Sequence, residues 1–345
     1  MMRILIIGGT RRCGPYLVEE LLAKGHSVVC YHRGQHNISF SDGAEHLHGD
    51  RRDYPRFKEQ MAQVQADVVI DMMAADHQDV RAVTEAFSGR IERYVCISSF
   101  EVYEAFEAAW KHLPSQQPVP IPEEAPKRKD LHLYGEGPRY DKIIVEKEIL
   151  EAHERGDFSI TILRWPALYG PRDETPREWY YVKQALDGRS QIAVPDGGQA
   201  LYARGYFENM AHTAALAAEN EAANGQPYNC ADTLALSLKQ IVEMIGEIVD
   251  HEWEIVSVPR ELMPRVPQSQ ALPYSCDPYD IEPHLLLDLT KIRTELGYRD
   301  LVPITTAMEN TVRWLVDEQP TVDWLSPSYP EHDEAIRKAG QIASL

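Results

Sequence analysis

The chain has 345 residues and is strongly acidic, with 54 Asp and Glu residues against 35 Lys and Arg residues and a formal net charge of -19. This balance disfavours nucleic acid as a partner, because binding to a phosphate backbone depends on clustered Lys and Arg. Hydrophobic residues make up 43% of the chain, yet no apolar run approaches the roughly 20 residues that cross a bilayer. We therefore expect a soluble globular protein without a membrane partner. The five cysteines show no Cys-x-x-Cys spacing, which predicts buried thiols and a cytoplasmic location.

The opening of the chain predicts a phosphate-binding turn between a strand and a helix. Residues 4–7 are a short apolar run, and apolar residues recur at helical spacing after the last glycine of the turn. Gly8, Gly9 and Gly14 allow a tight turn whose backbone comes close to a phosphate at a helix N-terminus. The turn residues that we expect to contact a dinucleotide are Gly8, Thr10, Arg11, Cys13 and Gly14. The usual G-x-x-G-x-x-G spacing has a glycine where this chain has Arg11, so this side chain must either swing outward or obstruct the cofactor.

The end of the second predicted strand bears on the choice between NAD and NADP. Residues 27–31 form an apolar β-branched run that is followed by His32, Arg33 and Gly34. NAD-selective versions of the fold carry an acidic residue near this point, whereas a basic residue suits the 2′-phosphate of NADP. We therefore expect NADP to be favoured and NAD to be possible, with Arg33 and Arg11 as the cations. The alternative is that Arg33 is a solvated loop residue.

Further apolar runs alternate with helical stretches, which is typical of a right-handed parallel sheet covered on both faces. The predicted strands after the second are residues 44–48, 66–71, 94–98 and 158–163. A nucleotide bound by such a sheet lies across the carboxyl ends of the strands, where the strand order reverses. The further residues expected at the cofactor are Asp50, Arg51, Met73, Ala74, Ser98, Lys142 and Pro166. Among these, Asp50 would reach the adenine.

Two histidines alternate on the third predicted strand. His46 and His48 would therefore lie on one face of that strand. A metal site is conceivable there, but no third ligand stands at a useful spacing, so we expect no bound metal.

The second half of the chain alternates less regularly. Two proline-rich segments, residues 113–138 and 259–283, are long enough to be functional loops over the site. Residues 196–198, Asp-Gly-Gly, are expected to form a hairpin turn between two short strands. The predicted helices are residues 207–219, 237–250, 288–297 and 303–316. We therefore divide the chain into a dinucleotide-binding domain, residues 1–165, and a smaller α+β substrate-binding region, residues 166–345, with some segments returning to the first domain.

Several short motifs, in their order and spacing, resemble the extended short-chain dehydrogenase/reductase family, which includes nucleotide-sugar epimerases and dehydratases. They are Gly8-Gly-Thr-x-x-x-Gly14, Gly49-Asp50, Ser98-Ser-x-x-Val-Tyr103, Lys142-x-x-x-Glu146, Arg164-x-Pro-x-x-Tyr-Gly-Pro171, Tyr228-Asn229 and Leu289-Thr-Lys-x-Arg-x-x-Leu-Gly297. The chain is most similar to an atypical branch that opens with Gly-Gly-Thr-Arg and resembles the plant chloroplast stem-loop RNA-binding proteins and their bacterial relatives. The resemblance implies an α/β fold with a Rossmann-type doubly wound parallel sheet, and a nicotinamide cofactor.

The resemblance also implies a catalytic Ser or Thr together with a Tyr-x-x-x-Lys pair on one helix. Aligned on Lys142, this chain has Pro138 where the tyrosine would stand. Tyr140 is no simple replacement, because two residues turn a helix by about 200°. The remaining tyrosine candidates for the acid/base are Tyr134, in the preceding loop, and Tyr103.

Two residues after the fifth strand complete the candidate set. Ser99 stands four residues before Tyr103, where the resemblance implies the hydrogen-bonding Ser or Thr. Glu101 stands where related dehydratases carry a catalytic glutamate, and beside the apolar Phe100 it could act as a base. The alternative is that Glu101 is a solvated loop residue. The candidate catalytic residues are Ser99, Glu101, Tyr103, Tyr134 and Lys142.

These features support two hypotheses. The first is an NAD(P)-dependent epimerase, dehydratase or reductase that acts by hydride transfer on a nucleotide sugar or similar polar small molecule, with Ser99 polarising the substrate oxygen and Lys142 holding the nicotinamide ribose. The second is a catalytically inactive nucleotide-binding regulatory or RNA-binding protein of the same fold. The resemblance further implies a homodimer in which helices near residues 76–88 and 139–153 form a four-helix bundle.

Overall fold

A computed structural model describes most of the chain. The described residues are 1–36, 38–41, 43–111, 113, 117–131, 133, 140–264, 284–321 and 328–343. Tyr134 and Pro138, on which the prediction of the acid/base depends, lie outside them, as does most of the second proline-rich segment.

Strands and helices alternate along the first half of the described chain. The strands are β1 (Arg3–Ile7), β2 (Ser27–His32), β3 (Ala44–His48), β4 (Val68–Asp71), β5 (Arg93–Ser99), β6 (Ser159–Trp165), β7 (Ala167–Tyr169), β8 (Gln191–Pro195), β9 (Arg204–Tyr206), β10 (Gln226–Asn229) and β11 (Glu254–Val258). The helices are α1 (Cys13–Ala23), α2 (Tyr54–Gln63), α3 (His77–Phe87), α4 (Glu104–Trp110), α5 (Lys142–Glu154), α6 (Trp179–Leu186), α7 (Phe207–Glu219), α8 (Leu238–Val249), α9 (Thr290–Glu295), α10 (Ile304–Glu318) and α11 (Tyr329–Ala343). Within the described ranges, no helix is both long enough and apolar enough to span a membrane.

The central sheet contains seven parallel strands among the described residues, in the order β3-β2-β1-β4-β5-β6-β10. The order reverses between β1 and β4, so the carboxyl ends of these two strands border the crevice in which doubly wound folds bind nucleotides. The predicted doubly wound parallel sheet is therefore confirmed. Strand β10 joins this sheet and α7 packs against α1, so segments after residue 165 also contribute to the sheet and its cover.

Alternation along the buried strands divides the core of the sheet into two layers. In β1, Ile4 and Ile6 pack in the layer that contains α1 and α7, whereas Leu5 and Ile7 pack in the layer that contains α2, α3 and α5. Successive side chains of a strand point to opposite faces, so a strand that is apolar throughout is covered on both sides. This packing holds the strand ends, and with them the loops of the site, in place.

The smaller region has a core of its own, to which α6, α8, α10 and α11 contribute together with β8 and β11. Strand β8 pairs with β11 in parallel, and β9 pairs with β7 in parallel. The predicted hairpin at residues 196–198 is therefore wrong. These residues form a short 3-10 turn with Asp196 and Gly197 at φ of 46° and 73°, and the strands on its two sides belong to different pairs.

Candidate functional site

The crevice between the ends of β1 and β4 is bordered by backbone that needs glycine. Gly8 follows β1 with a φ of +115°, and a Cβ atom built on it would lie 2.6 Å from Met73 Cγ. Gly14 lies in the first turn of α1, where a Cβ atom would lie 2.5 Å from the carbonyl carbon of Gly9. The turn and the helix therefore meet without intervening side chains, and a ligand can approach the backbone closely.

The turn leads directly into the N-terminus of α1. Gly14 N donates to Arg11 O (2.9 Å), and Thr10 N donates to Gly8 O (2.5 Å). The helix begins at Cys13, whose thiol is buried and whose pKa is raised by that burial. The Cys13 side chain therefore belongs to the core, and its contribution to a ligand would come from its backbone N–H at the helix N-terminus.

Arg11 and Arg12 contact a segment that follows β7. Arg12 Nη2 lies 3.3 Å from Asp173 Oδ1 and donates to Thr175 Oγ1 (3.2 Å). Arg11 pairs with Glu174, and 41% of its side chain is exposed. The Arg11 side chain thus points to the segment that follows β7, on which Glu174 lies.

The ends of β2 and β3 carry the residues expected at the adenosine. Arg33 follows β2, Asp50 follows β3, and both are exposed. Asp50 Oδ1 accepts a hydrogen bond from Arg52 N (2.9 Å). Burial, followed by the positive charges of Arg12 and Arg33, lowers the pKa of Arg11. Arg11 and Arg33, the cations predicted for a 2′-phosphate, are therefore close enough to interact.

Arg51, also expected at the cofactor, is engaged by two carboxylates. Its Nη1 donates to Asp71 Oδ1 (2.6 Å), and its Nε lies 3.2 Å from Asp79 Oδ1. Burial alone would lower the pKa of Arg51, but the two carboxylates outweigh burial and raise it. The expectation for this side chain is corrected accordingly: Arg51 joins the end of β4 to α3.

Lys142 lies at the carboxyl ends of β4 and β5. Its Nζ donates to Ala74 O (2.5 Å) and to Ile97 O (2.8 Å), and the residue is only 6% exposed. The centroid of the Tyr140 ring lies 5.3 Å from Nζ, a cation–π contact. An ammonium has three N–H groups, so one remains beyond these two carbonyls of the described residues. Met73, just before Ala74, is 53% exposed at the same strand end.

A buried polar network joins α5 to β5 and β6. Glu146 is fully buried, and its two oxygens accept bonds from Arg164 Nε and Nη2 (2.9 Å each). Ser98 Oγ donates to Glu146 Oε1 (2.7 Å), and Lys127 Nζ donates to Oε2 (2.6 Å). Burial alone would raise the pKa of Glu146, but Arg164 and Lys127 outweigh it and hold the pKa below its ordinary value. The Ser98 hydroxyl, expected at the cofactor, is thus bonded inside the protein.

Tyr103 belongs to the same network. Its hydroxyl donates to Asn229 Oδ1 (2.6 Å) and accepts from Arg164 Nη1 (2.7 Å). The side chain is fully buried, and burial raises its pKa. A phenol that is enclosed, bonded on both sides and harder to ionise is poorly suited to proton transfer, so the structure argues against Tyr103 as the acid/base.

Three further candidates stand at the ends of β5 and β6. Ser99 Oγ accepts a hydrogen bond from Glu101 N (3.3 Å) and caps a short 3-10 turn. Glu101 is only 3% exposed, so the alternative of a solvated loop residue is wrong. Pro166 is buried directly after β6. Tyr134, the other candidate for the acid/base, lies outside the described residues.

A partly open pocket reaches the segment after β5 through Tyr202, one of its lining residues. Its lining includes Arg177, Glu178, Tyr181, Tyr202, Arg204 and Leu238. Tyr202 packs edge-on against Phe100, the residue after Ser99, with 5.5 Å between ring centroids. Arg204 pairs with Glu178. The pocket therefore presents aromatic and charged groups close to the end of β5.

The central sheet matches a known protein family. Residues 4–231 match the model of the NAD dependent epimerase/dehydratase family. The chain belongs to this family. The matched residues begin in β1 and end just after β10, so they include every strand of the central sheet described above.

Two relatives and one solved structure are similar to this chain. The chain is 28% identical over 240 residues to the chloroplast stem-loop binding protein of 41 kDa b from Arabidopsis thaliana. This alignment spans 66% of this chain but only 58% of the length of that relative. The chain is 23% identical over 348 residues to a UDP-N-acetyl-alpha-D-glucosaminuronate decarboxylase from Bacillus cytotoxicus. This alignment spans 90% of this chain and 97% of that relative. The fold is similar to that of a UDP-glucose-4-epimerase from Stenotrophomonas maltophila that was solved with bound NAD and formylated UDP-arabinopyranose. The two structures superpose with a TM-score of 0.70 at 17% identity, over 92% of this chain and 99% of the epimerase chain. That likeness shows the shared fold.

The crevice suits a nicotinamide dinucleotide, the cofactor that the family's name implies. Neither Gly8 nor Gly14 has room for a Cβ atom, as expected where backbone must approach a phosphate. Arg11 lies in the glycine turn and Arg33 follows β2, and Lys142 has one N–H beyond its two carbonyl partners among the described residues. These residues would hold the pyrophosphate, the adenosine ribose and the nicotinamide ribose, respectively.

Two features of the site were not visible from the sequence. Asp173 and Glu174 pair with the arginines of the glycine turn, although more than 150 residues separate them along the chain. Glu146 and Arg164 stood in the motifs without an assigned role. An Arg inside the otherwise apolar run of β6 is the signal that could have indicated a buried ion pair.

Replacing Glu146 with Gln is expected to destabilise the protein. The change removes the charge opposite Arg164, and breaking a buried ion pair typically lowers the free energy of unfolding by about 3–5 kcal/mol. Because the pKa of Glu146 is held below its ordinary value of 4.5, the stabilisation is present above that pH and is lost as the pH falls through the folded-state pKa. Urea denaturation followed by circular dichroism should show a gap between wild type and variant at neutral pH that narrows in acid.

Glu309→Gln, on α10, is the control. Glu309 pairs with Arg313, and their side chains are 48% and 65% exposed. Exposed pairs are worth about 0–1 kcal/mol, so this variant should stay close to wild type. Equal free energies of unfolding for the Glu146→Gln and Glu309→Gln variants would contradict the role assigned to Glu146.

Proposed function

We propose that the protein is an NAD(P)-dependent epimerase, dehydratase or reductase that acts on a nucleotide sugar or a similar polar small molecule. The observation that carries this proposal is the position of Lys142 at the carboxyl ends of β4 and β5, in a crevice whose other end holds Arg33. Membership of the family supports a nicotinamide dinucleotide as the ligand. When bound, that cofactor supplies hydride exchange with a substrate carbon.

The pocket that Tyr202 lines supports a polar substrate that carries phosphate. Its lining combines Arg177 and Arg204 with the rings of Tyr181 and Tyr202. Arginine binds phosphate through its planar fork of donors, and aromatic walls with a few polar groups are typical of small-molecule sites. The names of two relatives agree with this substrate class, since one is a UDP-sugar decarboxylase and the other was solved with a UDP-sugar.

Each candidate side chain has a distinct proposed role. Lys142 would bind the nicotinamide ribose through its remaining N–H. Ser99 would donate a hydrogen bond to the reacting oxygen of the substrate and polarise it. Glu101 or Tyr134 would move the proton, because the usual tyrosine is replaced in the sequence and the hydroxyl of Tyr103 is bonded on both sides.

Replacing Lys142 with Met is expected to weaken cofactor binding. Hydrogen bonds to charged groups are worth about 1.5–3 kcal/mol, so the dissociation constant should rise about tenfold or more. Quenching of NADPH fluorescence during titration measures this constant. Because Lys142 also holds the carbonyls of Ala74 and Ile97, thermal unfolding of the variant is followed in parallel.

Lys147→Met is the control on the same helix, since Lys147 is exposed. It should bind NADPH as wild type does. A folded Lys142→Met variant with wild-type affinity would contradict the role of Lys142, whereas a wild type that binds neither NADPH nor NADH would contradict the proposed cofactor.

We further propose that NADP is favoured over NAD. The positive charge of Arg33 contributes to lowering the pKa of Arg11, and β2 ends in His32 where NAD-selective folds carry an acidic residue. The NAD bound to the solved relative supports the dinucleotide class.

Replacing Arg33 with Ala is expected to affect one cofactor only. Loss of the cation should raise the dissociation constant for NADPH by about tenfold and change that for NADH by less than about twofold. Arg313→Ala, on an α10 side chain that is 65% exposed, should change neither constant. Parallel losses for NADPH and NADH in the Arg33→Ala variant would rule out a contact with the 2′-phosphate.

A second candidate function is nucleotide-binding regulation or RNA binding without catalysis. The similarity to the chloroplast stem-loop binding protein favours it, as does Pro138 in place of the usual tyrosine. The net charge of -19 weighs against its RNA-binding form. An RNA gel shift that weakens steeply with added salt, from a protein that turns over no sugar nucleotide, would favour this candidate.

We also propose a homodimer that uses α3 and α5. The two helices lie side by side, and Ile144 and Leu150 on α5 keep part of their apolar surface exposed. The Arg81–Glu148 ion pair joins the same two helices at their surface. This combination of apolar and paired charged groups suits a four-helix contact between two chains.

Light scattering at micromolar concentration is expected to show a dimer. Leu150→Glu should shift it toward monomer, because the contact would bury an unpaired charge. Leu301→Glu, at a leucine that is 49% exposed in a loop, should leave the dimer intact. A monomeric wild type would exclude this arrangement.

We propose a cytoplasmic location, as the cysteines suggest. Cys13, Cys30, Cys96 and Cys230 are buried free thiols, the form that cysteines keep in a reducing compartment. The fifth cysteine, Cys276, lies outside the described residues.

A further inference from the structure

Three histidines come together at the carboxyl ends of β2 and β3. His32 ends β2, while His46 and His48 lie on β3, and the parallel pairing of the two strands sets His32 opposite His48. One ring nitrogen from each histidine lies within 4.8 Å of the corresponding nitrogens of the other two. Strand pairing thus supplies the third ligand that the spacing of His46 and His48 along the chain did not reveal.

The separation of these nitrogens is close to that of a zinc site. Tetrahedral zinc with bonds of about 2.0–2.1 Å places its ligand nitrogens about 3.3 Å apart. His32 Nε2 and His46 Nδ1 are 2.8 Å apart, and no pair exceeds 4.8 Å. His46 and His48 are exposed, so rotations about their side-chain bonds can bring the three nitrogens to equal distances.

His32 is the buried ligand of the trio, only 8% exposed. Gly34 N donates to His32 Nδ1 (3.1 Å), so the ring proton sits on Nε2 and points to His46 Nδ1. A metal bound at Nε2 would move this proton to Nδ1, and the exposed Gly34 N–H would bond to water instead.

We propose that His32, His46 and His48 bind a divalent transition-metal cation of the zinc or nickel class. Imidazole suits these metals, whereas calcium and magnesium prefer oxygen ligands. The Phe40 ring stacks on His46, with 5.2 Å between centroids and 11° between planes, so an aromatic ring lies beside one of the ligands. Three protein ligands leave the fourth tetrahedral position to water or to a donor atom of a ligand.

The proposed metal site is distinct from the catalytic candidates. It lies on β2 and β3, whereas Lys142 and Ser99 lie at the ends of β4 and β5. Substitutions in the trio therefore leave the proposed proton-transfer groups unchanged. Metal binding by these three histidines does not depend on whether the protein is an enzyme.

Isothermal titration of Zn²⁺ into the full chain, after EDTA treatment and removal of the chelator, tests this site. We expect one Zn²⁺ per chain. His46→Ala and His48→Ala should each weaken binding by about tenfold or more, since even residues that only support a metal ligand change affinity by about 10- to 100-fold. Co²⁺ gives a second readout, because the visible absorption of tetrahedral Co²⁺ should appear in wild type and be lost in both variants.

His77→Ala is the matched control, because His77 begins α3 and lies outside the trio. It should bind Zn²⁺ as wild type does. His46 and His48 are exposed, so their replacement leaves the core intact, and circular dichroism checks that each variant is folded. A wild type that takes up no Zn²⁺, or binding that survives both His46→Ala and His48→Ala, would overturn the proposal.

Discussion

The buried ion pair between Glu146 and Arg164 holds together the elements on which the site depends. It joins α5 to β6, and through Ser98 and Tyr103 it reaches β5 and the segment after it. A buried pair adds little net stability over apolar packing, but either charge left alone is strongly destabilising. Helix α5 is therefore held in one position against the sheet. Lys142, about one turn before Glu146, is placed at the strand ends by the same constraint.

This network explains why the motifs of the family are stronger evidence for the fold than for the reaction. Ser98, Tyr103, Glu146 and Arg164 all stand in the motifs, and hydrogen bonds link them in the series Ser98, Glu146, Arg164 and Tyr103 inside the protein. These residues hold α5 against the sheet, and this structural role does not depend on which reaction takes place at the site. A chain can therefore keep them and still carry Pro138 in place of the tyrosine.

The surroundings of a candidate site residue could be predicted from the sequence only where its contacts lie close to it along the chain. Gly14 is constrained by the backbone of Gly9 in the same turn, a local contact that the spacing of the glycines can indicate, whereas the atoms closest to a Cβ on Gly8 belong to Met72 and Met73. Arg51 was chosen for its position after a strand, and its partners come from β4 and α3, well along the chain. Glu101 was weighed as a solvated residue, but it is enclosed by segments distant in sequence. Burial and partners of this kind cannot be read from spacing.

The parallel sheet, its strand segments and the glycine turn follow from the amino-acid order alone, because hydrophobic periodicity and glycine flexibility are properties of neighbouring residues. Which strands pair, and which side chains meet as a result, depended on the folded chain. Residues 196–198 were predicted to form a hairpin turn, but β8 pairs with β11 in the folded chain. Likewise, His32 joins His46 and His48 only through the register of β2 against β3. In both cases the decisive contact is a hydrogen-bonded strand pair, which no local pattern specifies.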